Sequence, residues 1–133
     1  MRKLLSALLF AASLSGWAQS FVVNEIQVAN IDMYIDHSFN YGGWVELYNP
    51  TDTDISLSRT YISDDKNDLK KNRFSNNIGS IPAKGYKVIW FDHNSSEGSF
   101  GPKAYLQVAF KLDMDGGTLY FSDSSGNLVL EYT

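Results

Sequence analysis

The chain has 133 residues, no cysteine, and 15 acidic against 11 basic residues, for a net charge of −4. Without thiols there are no disulfide staples, thiol nucleophiles or thiolate zinc sites, so the fold has to rest on its apolar core. The acidic balance argues against nucleic-acid and anionic-membrane partners, which need clustered Lys and Arg; the one basic cluster, Lys66, Lys70, Lys71 and Arg73, is diluted by Asp64, Asp65 and Asp68.

In chain order, Met1-Arg2-Lys3 supplies a positive start, and Leu4 to Leu14 is apolar apart from Ser6 and Ser13. Gly16-Trp17-Ala18 then places small residues where a signal peptidase reads them. An apolar stretch of about eleven residues is too short for a bilayer span of roughly 20 helical residues. Residues 1–18 are therefore expected to be a secretory signal peptide cut after Ala18, leaving residues 19–133 as one domain. No cysteine follows the apolar run, which argues against a lipid anchor. The expected location is secreted, periplasmic or on the cell surface, with no membrane span in the mature chain. Processing removes Arg2 and Lys3 and leaves 115 residues with a net charge of −6.

From residue 21 onward the periodicity is that of strands. Val22, Asn24, Ile26 and Val28 alternate against Val23, Glu25 and Gln27; Val45 and Leu47 oppose Trp44, Glu46 and Tyr48. Ile55 and Leu57 alternate, Tyr61-Ile62 follows, and Tyr86 to Phe91 is a β-branched and aromatic run. Ala104 to Leu112, Thr118 to Phe121 and Leu128 to Leu130 complete the series. Turn clusters punctuate it at Asn49-Pro50, Pro82-Ala83-Lys84-Gly85, Asp115-Gly116-Gly117 and Ser125-Gly126-Asn127, with glycine expected at the positive-φ positions. About eight short strands without a helix to cover them bury their apolar faces by packing two sheets ~10 Å apart. The expected fold is an all-β antiparallel β-sandwich, with a closed barrel as the alternative. Segments 30–43 and 92–103 read as long exposed loops, where a sandwich carries its contacts.

These segments resemble the lamin tail domain family in its bacterial exported form. The likeness begins at Val23-Asn24-Glu25-Ile26 and is strongest at Trp44-Val45-Glu46-Leu47-Tyr48-Asn49. It continues through Ile55-Ser56-Leu57-Ser58, Tyr61-Ile62-Ser63-Asp64 and Ile81 to Trp90, and closes with Phe110-Lys111-Leu112, Gly116 to Asp123 and Gly126 to Val129. It covers nearly all of residues 21–133 in the family's order. The resemblance implies an immunoglobulin-like sandwich serving as a non-catalytic binding or scaffold module. Bacterial members of the family often accompany other modules, so the alternative is an accessory domain, or a fragment, of a larger exported enzyme such as a nuclease or a spore-coat-kinase-like protein.

Candidate chemistry is sparse. Asp113-Met114-Asp115-Gly116-Gly117 has the look of a calcium loop, but no Glu follows at the distance such a loop requires, and a hairpin turn explains the composition. Asp32 with Asp36, and Asp64-Asp65 with Asn67 and Asp68, read as solvated turns. His37 and His93 stand in loops without the partners of a zinc site or a hydrolytic triad. No cofactor and no enzymatic activity are expected. Glu25 and Glu46 read as structural strand carboxylates pairing with Lys or Arg across a ladder or closing a turn, and Asn24 and Asn49 as backbone-bonding residues at strand ends. Trp90, Phe110 and Phe121 read as core. Tyr34, Phe39, Tyr41 and Trp44, with Gly42-Gly43 supplying mobility, are the candidate contact residues for a protein or glycan partner, joined by His93. Capping of the sandwich by the same aromatics is the competing reading. Oligomeric state has no signature in the sequence.

Overall fold

A strand with apolar side chains on one face buries that face only against a second layer, and a chain of short strands meets the demand by folding into two sheets. The computed structural model describes residues 21–28, 42–91 and 107–133. Its strands are β1 (Val22–Gln27), β2 (Gly43–Tyr48), β3 (Ile55–Ser56), β4 (Tyr61–Ser63), β5 (Asn72–Arg73), β6 (Ser80–Ile81), β7 (Tyr86–Phe91), β8 (Gln107–Val108), β9 (Leu119–Ser122) and β10 (Leu128–Tyr132). One 3₁₀ turn, Asn76–Ile78, is capped by the Ser75 hydroxyl accepting from the Asn77 amide at 3.2 Å. The first sheet runs β1-β2-β7-β8, the second β10-β9-β4-β5, and β3 pairs with β6 beside them. The expected signal peptide at residues 1–18 lies outside the described residues.

The core collects one face from each sheet. Val45, Leu47, Ile89 and Phe91 of the first meet Ile62, Leu119 and Phe121 of the second, and Ile55 and Ile81 of the small sheet close it with Leu57 and, from the 3₁₀ turn, Ile78. Edge-to-face ring pairs reinforce the packing, Phe21 on Phe121 with centroids 5.2 Å apart and Phe91 on Phe110 at 5.3 Å. Phe110 and Phe121 are core residues as their neighbours suggested. Trp90 is not: Ile89 and Phe91 point inward, and Trp90 sits half-buried on the outer face beside Trp44.

Strict alternation also fails in β1 and β10, for one reason. In β1 the register slips between Val23 and Glu25, so that Val23 faces Leu47 and Ile26 faces Val45. The extra residue of this β-bulge turns both Val23 and Ile26 to the core, although a period of two puts them on opposite sides. A second slip between Leu128 and Leu130 does the same for Val129 and Leu130. Both bulged strands are sheet edges, where bulges discourage further pairing.

The segment read as one strand from Ala104 to Leu112 is, among the described residues, a strand only at Gln107–Val108. It pairs with β7 in parallel, whereas every other pairing is antiparallel. Past Val108 the Ala109 amide donates to the Asn72 side chain at 3.3 Å, and the chain leaves the sheet. In the Pro82–Gly85 turn the positive φ falls on Lys84 (54°), not on the glycine. Gly85 is needed for space, since a Cβ there would meet Pro82 Cβ at 3.0 Å. Gly116 and Gly126 do carry positive φ, as their turns require.

Asn49, fully buried at the end of β2, holds three segments together. Its amide donates to the carbonyls of Thr53 (2.7 Å) and Ile81 (3.0 Å), and its Oδ1 accepts from the Thr51 amide (2.9 Å) and hydroxyl (2.7 Å). Its own backbone amide donates to the Gly85 carbonyl at 3.0 Å. Both side-chain donors are used and the acceptor is used twice, so burial leaves nothing unmet. Asn49→Ala removes the side-chain donor to the buried Ile81 carbonyl, leaves the Thr53 carbonyl to the Thr51 hydroxyl, and opens a void. It is expected to cost about 2–4 kcal/mol in urea denaturation, without a change in strand content by circular dichroism.

The β9–β10 turn is ordered by Asp123, whose Oδ1 accepts from the amides of Ser125 and Asn127, each at 2.9 Å. These bonds, led by the Asn127 amide, hold this exposed carboxyl below its ordinary 3.8. A depressed folded value means stability that is present above the unfolded pKa and lost as pH falls through the folded one. The melting-temperature gap between the wild type and Asp123→Asn is therefore expected to be present at pH 7 and to close as pH falls below about 4. A gap of constant size down to pH 2 contradicts this.

Candidate functional site

The register of the strands decides what meets at each end of the sandwich. Gln27 pairs with Trp44, Gly43 with Phe91, Phe91 with Val108, and Tyr132 with Leu119. The end of β1, the start of β2 and the ends of β7 and β8 thus lie together, and the start of β9 lies beside the end of β10. A cleft of about 400 Å³ joins the two sets. Ile26, Val28, Leu112, Leu119 and Tyr132 form its apolar wall, and Asp64 and Asp113 stand at its rim. Segment 29–41 leaves from Val28 and returns at Gly42, and segment 92–106 leaves from Phe91 and returns at Gln107, all at this end.

Asp64 is already engaged there: Lys71 Nζ approaches its Oδ1 at 2.6 Å, with both side chains 40% exposed. The same ammonium lies 5.0 Å from the centre of the Phe110 ring, a cation–π contact that fixes the lysine over the core's edge. An exposed pair of this kind stabilises the fold by at most about 1 kcal/mol. Asp113 accepts the Asp115 amide at 2.9 Å, and the Gly116 amide donates to the Asp113 carbonyl at 3.2 Å, so the Asp113–Gly117 segment is a turn. Asp65 likewise accepts from the Asn67 amide at 2.8 Å. Among the described residues, no three His, Asp or Glu side chains converge as metal ligands.

The remaining sequence candidates separate. Tyr34, Phe39, Tyr41, His37 and His93, together with Asp32 and Asp36, lie outside the described residues. Trp44 lies within them and is a strand residue of β2, 8% exposed and in register between Gln27 and Trp90. That placement sets it apart from the loop aromatics with which its sequence neighbours group it. Gly42 and Gly43 supply close approach, not mobility. A Cβ on Gly42 would stand 2.7 Å from the Phe91 carbonyl oxygen; one on Gly43 would stand 2.9 Å from those of Gln27 and Val28 and 3.2 Å from Leu112 Cδ1.

Glu25 and Glu46 face each other across β1 and β2. Glu46 pairs with no cation among the described residues; it accepts from the Asn24 amide nitrogen at 2.8 Å. Asn24 is thus a side-chain partner, where the sequence reading made it a backbone-bonding residue, whereas Asn49 does bond backbone. Sequence reasoning gave Tyr48 and Tyr86 no role beyond strand membership. The structure stacks them, centroids 4.8 Å apart and planes at 32°. Their positions at the outer parity of β2 and β7 were the available signal, but the pairing register was not.

Two antiparallel sheets packed face to face over a shared core are the architecture of the immunoglobulin-like class of all-β domains. The sequence model of the Lamin Tail Domain matches residues 19–133, and the chain belongs to that family of non-catalytic immunoglobulin-like domains. No curated protein and no solved structure matches it. The family gives a binding or scaffold module in general terms. Among the described residues, no helix is long and apolar enough to cross a membrane.

Gly43→Ala tests how tightly the site's frame is built. The intruding methyl meets two backbone carbonyls that cannot rotate away, so about 1–3 kcal/mol of destabilisation is expected in urea denaturation. An unchanged midpoint contradicts the close approach.

Proposed function

We propose that the chain is an exported recognition module of the lamin-tail type, without catalytic activity, that holds a protein or glycan partner through the loop-bearing end of the sandwich. The carrying observation is that segments 29–41 and 92–106 leave and rejoin the described strands at one end of the first sheet, where Val28 also lines an apolar cleft of about 400 Å³. Loops set on a rigid sandwich present side chains without burdening the core. The polar groups at the rim are structural, Asp64 paired with Lys71 and Asp113 bonded within its own turn, which leaves contact, not bond-making, as the chemistry of this end. Tyr34, Phe39, Tyr41 and His93 are the proposed contact residues on the two segments; Trp44, grouped with them in the sequence, is a buried residue of β2. Export rests on the charged, apolar and small-residue order of residues 1–18, and the family match opening at residue 19 is consistent with a cut after Ala18.

The exported chain, isolated from its own host and immobilised, is expected to begin at Gln19 by mass spectrometry and to retain a partner from the envelope fraction. Tyr34→Ala, Phe39→Ala and Tyr41→Ala combined should abolish that retention while leaving the melting temperature within about 1–2 °C, as for surface substitutions. Retention by the triple variant equal to that of the parent rejects the loop-end reading; an unprocessed N-terminus rejects export.

A further inference from the structure

The outer face of the first sheet is a surface that the core does not use. Three rows cross it in register: Val22–Tyr48–Tyr86, then Glu25–Glu46–Val88, then Gln27–Trp44–Trp90. The outer face of the second sheet differs, for there Ser122 donates to the Leu69 carbonyl at 2.7 Å and Lys70 lies 5.5 Å over the Tyr61 ring, so the 64–71 segment covers it. Four large hydrophobic side chains are exposed among the described residues, and two of them, Val22 (41%) and Tyr86 (54%), flank Tyr48 in a single row. Neither ring of the Tyr48–Tyr86 stack belongs to the core cluster. Four residues along β7, about 13–14 Å at the rise of a strand, Trp90 gives a second, half-buried aromatic station beside Trp44. Between the two stations lies the Asn24–Glu46 hydrogen-bonded pair.

From this alternation we infer that the outer face of β1, β2 and β7 is a binding platform for an uncharged polysaccharide chain lying along β7. The inference rests on the reading of the chain as a recognition module and adds a surface that reaches the end of β7 at Trp90. Aromatic rings offer broad apolar faces at little conformational cost, suited to the C–H faces of sugar rings. Glu46 uses one oxygen on Asn24, and a carboxylate has further lone pairs, so this centre accepts hydrogen bonds from hydroxyl groups. A protein partner is the poorer fit, because the centre of a protein interface is depleted of charge and here the centre is a carboxylate. Anionic polymers are disfavoured by Glu25 and Glu46 on the face and by the net charge of −4. The one lysine of β7, Lys87, is turned to the other side, where its ammonium donates to the Ile78 carbonyl.

Native affinity electrophoresis of the full chain tests this, in gels cast with hydroxyethylcellulose, mixed-linkage β-glucan or galactomannan, and with carboxymethylcellulose as the anionic control. Retardation is expected in at least one neutral polymer and not in the anionic one. Tyr86→Ala should weaken it roughly ten-fold, the loss of one aromatic contact, and Glu46→Ala should do the same. Both melting temperatures should stay near the parent's, and Met114→Ala should behave as the parent does. Retardation confined to carboxymethylcellulose, absent from all polymers, or undiminished in Tyr86→Ala overturns the platform. Retardation lost in the Tyr34, Phe39 and Tyr41 triple variant but kept in Tyr86→Ala overturns the platform while leaving the loop-end reading intact. Retention of a protein alone, sensitive to Tyr86→Ala, overturns the glycan assignment and leaves the module reading in place.

Discussion

The buried amide of Asn49 is the constraint on which the arrangement of the sheets depends. At the end of β2 the chain must turn out of the first sheet, and the turn leaves backbone groups facing the interior. Asn49 satisfies the carbonyls of Thr53 and Ile81 and receives the Thr51 amide and hydroxyl. It thereby joins the exit from β2 to β6, while its own amide reaches the Gly85 carbonyl just before β7. A buried polar group that is fully met specifies one geometry, because any other leaves several groups unpaired at once. The small β3–β6 sheet, and with it Ile55 and Ile81 in the core, is set in place by this junction.

From that junction the two faces of the first sheet acquire different work. Val45, Leu47, Ile89 and Phe91 are spent on the core, with Lys87 inward at the end of the face, where its ammonium meets the Ile78 carbonyl at the close of the 3₁₀ turn. Partial burial lowers the pKa of that ammonium, and the carbonyl contact is what makes its inward position tolerable. The outer parity is left with rings, a carboxylate and an amide. Edge bulges in β1 and β10 let both edge strands send extra apolar side chains inward while making the edges poor templates for another strand.

Where segments 29–41 and 92–106 join the strands follows from register, not from their composition. Pairings of Gly43 with Phe91 and of Tyr132 with Leu119 bring the ends of both sheets to one pole, where the glycines at 42 and 43 allow β2 to pass close to neighbouring carbonyls. The result is a rigid rim around an apolar cleft, with its carboxylates already engaged.

Much of this was legible in the amino-acid order. Alternation over β2 and β7, turn residues at regular intervals and the absence of any helical stripe determined an all-β sandwich, and the ordered segments from Val23 to Val129 carried the family. Asn49 was recognisable as a backbone-bonding residue, because an asparagine before proline at a strand end has few other uses. Other features were decided only by the tertiary structure. A bulge adds one residue without any mark in composition, so the inward turn of both Val23 and Ile26 was hidden. Trp90 looked like core because its neighbours are apolar, yet its parity places it outside. Glu25 and Glu46 became opposite neighbours, and Tyr48 and Tyr86 a stack, only when strands distant in sequence came into register. Parity is written locally, in successive side chains; register is a contact between segments, and no single segment contains it.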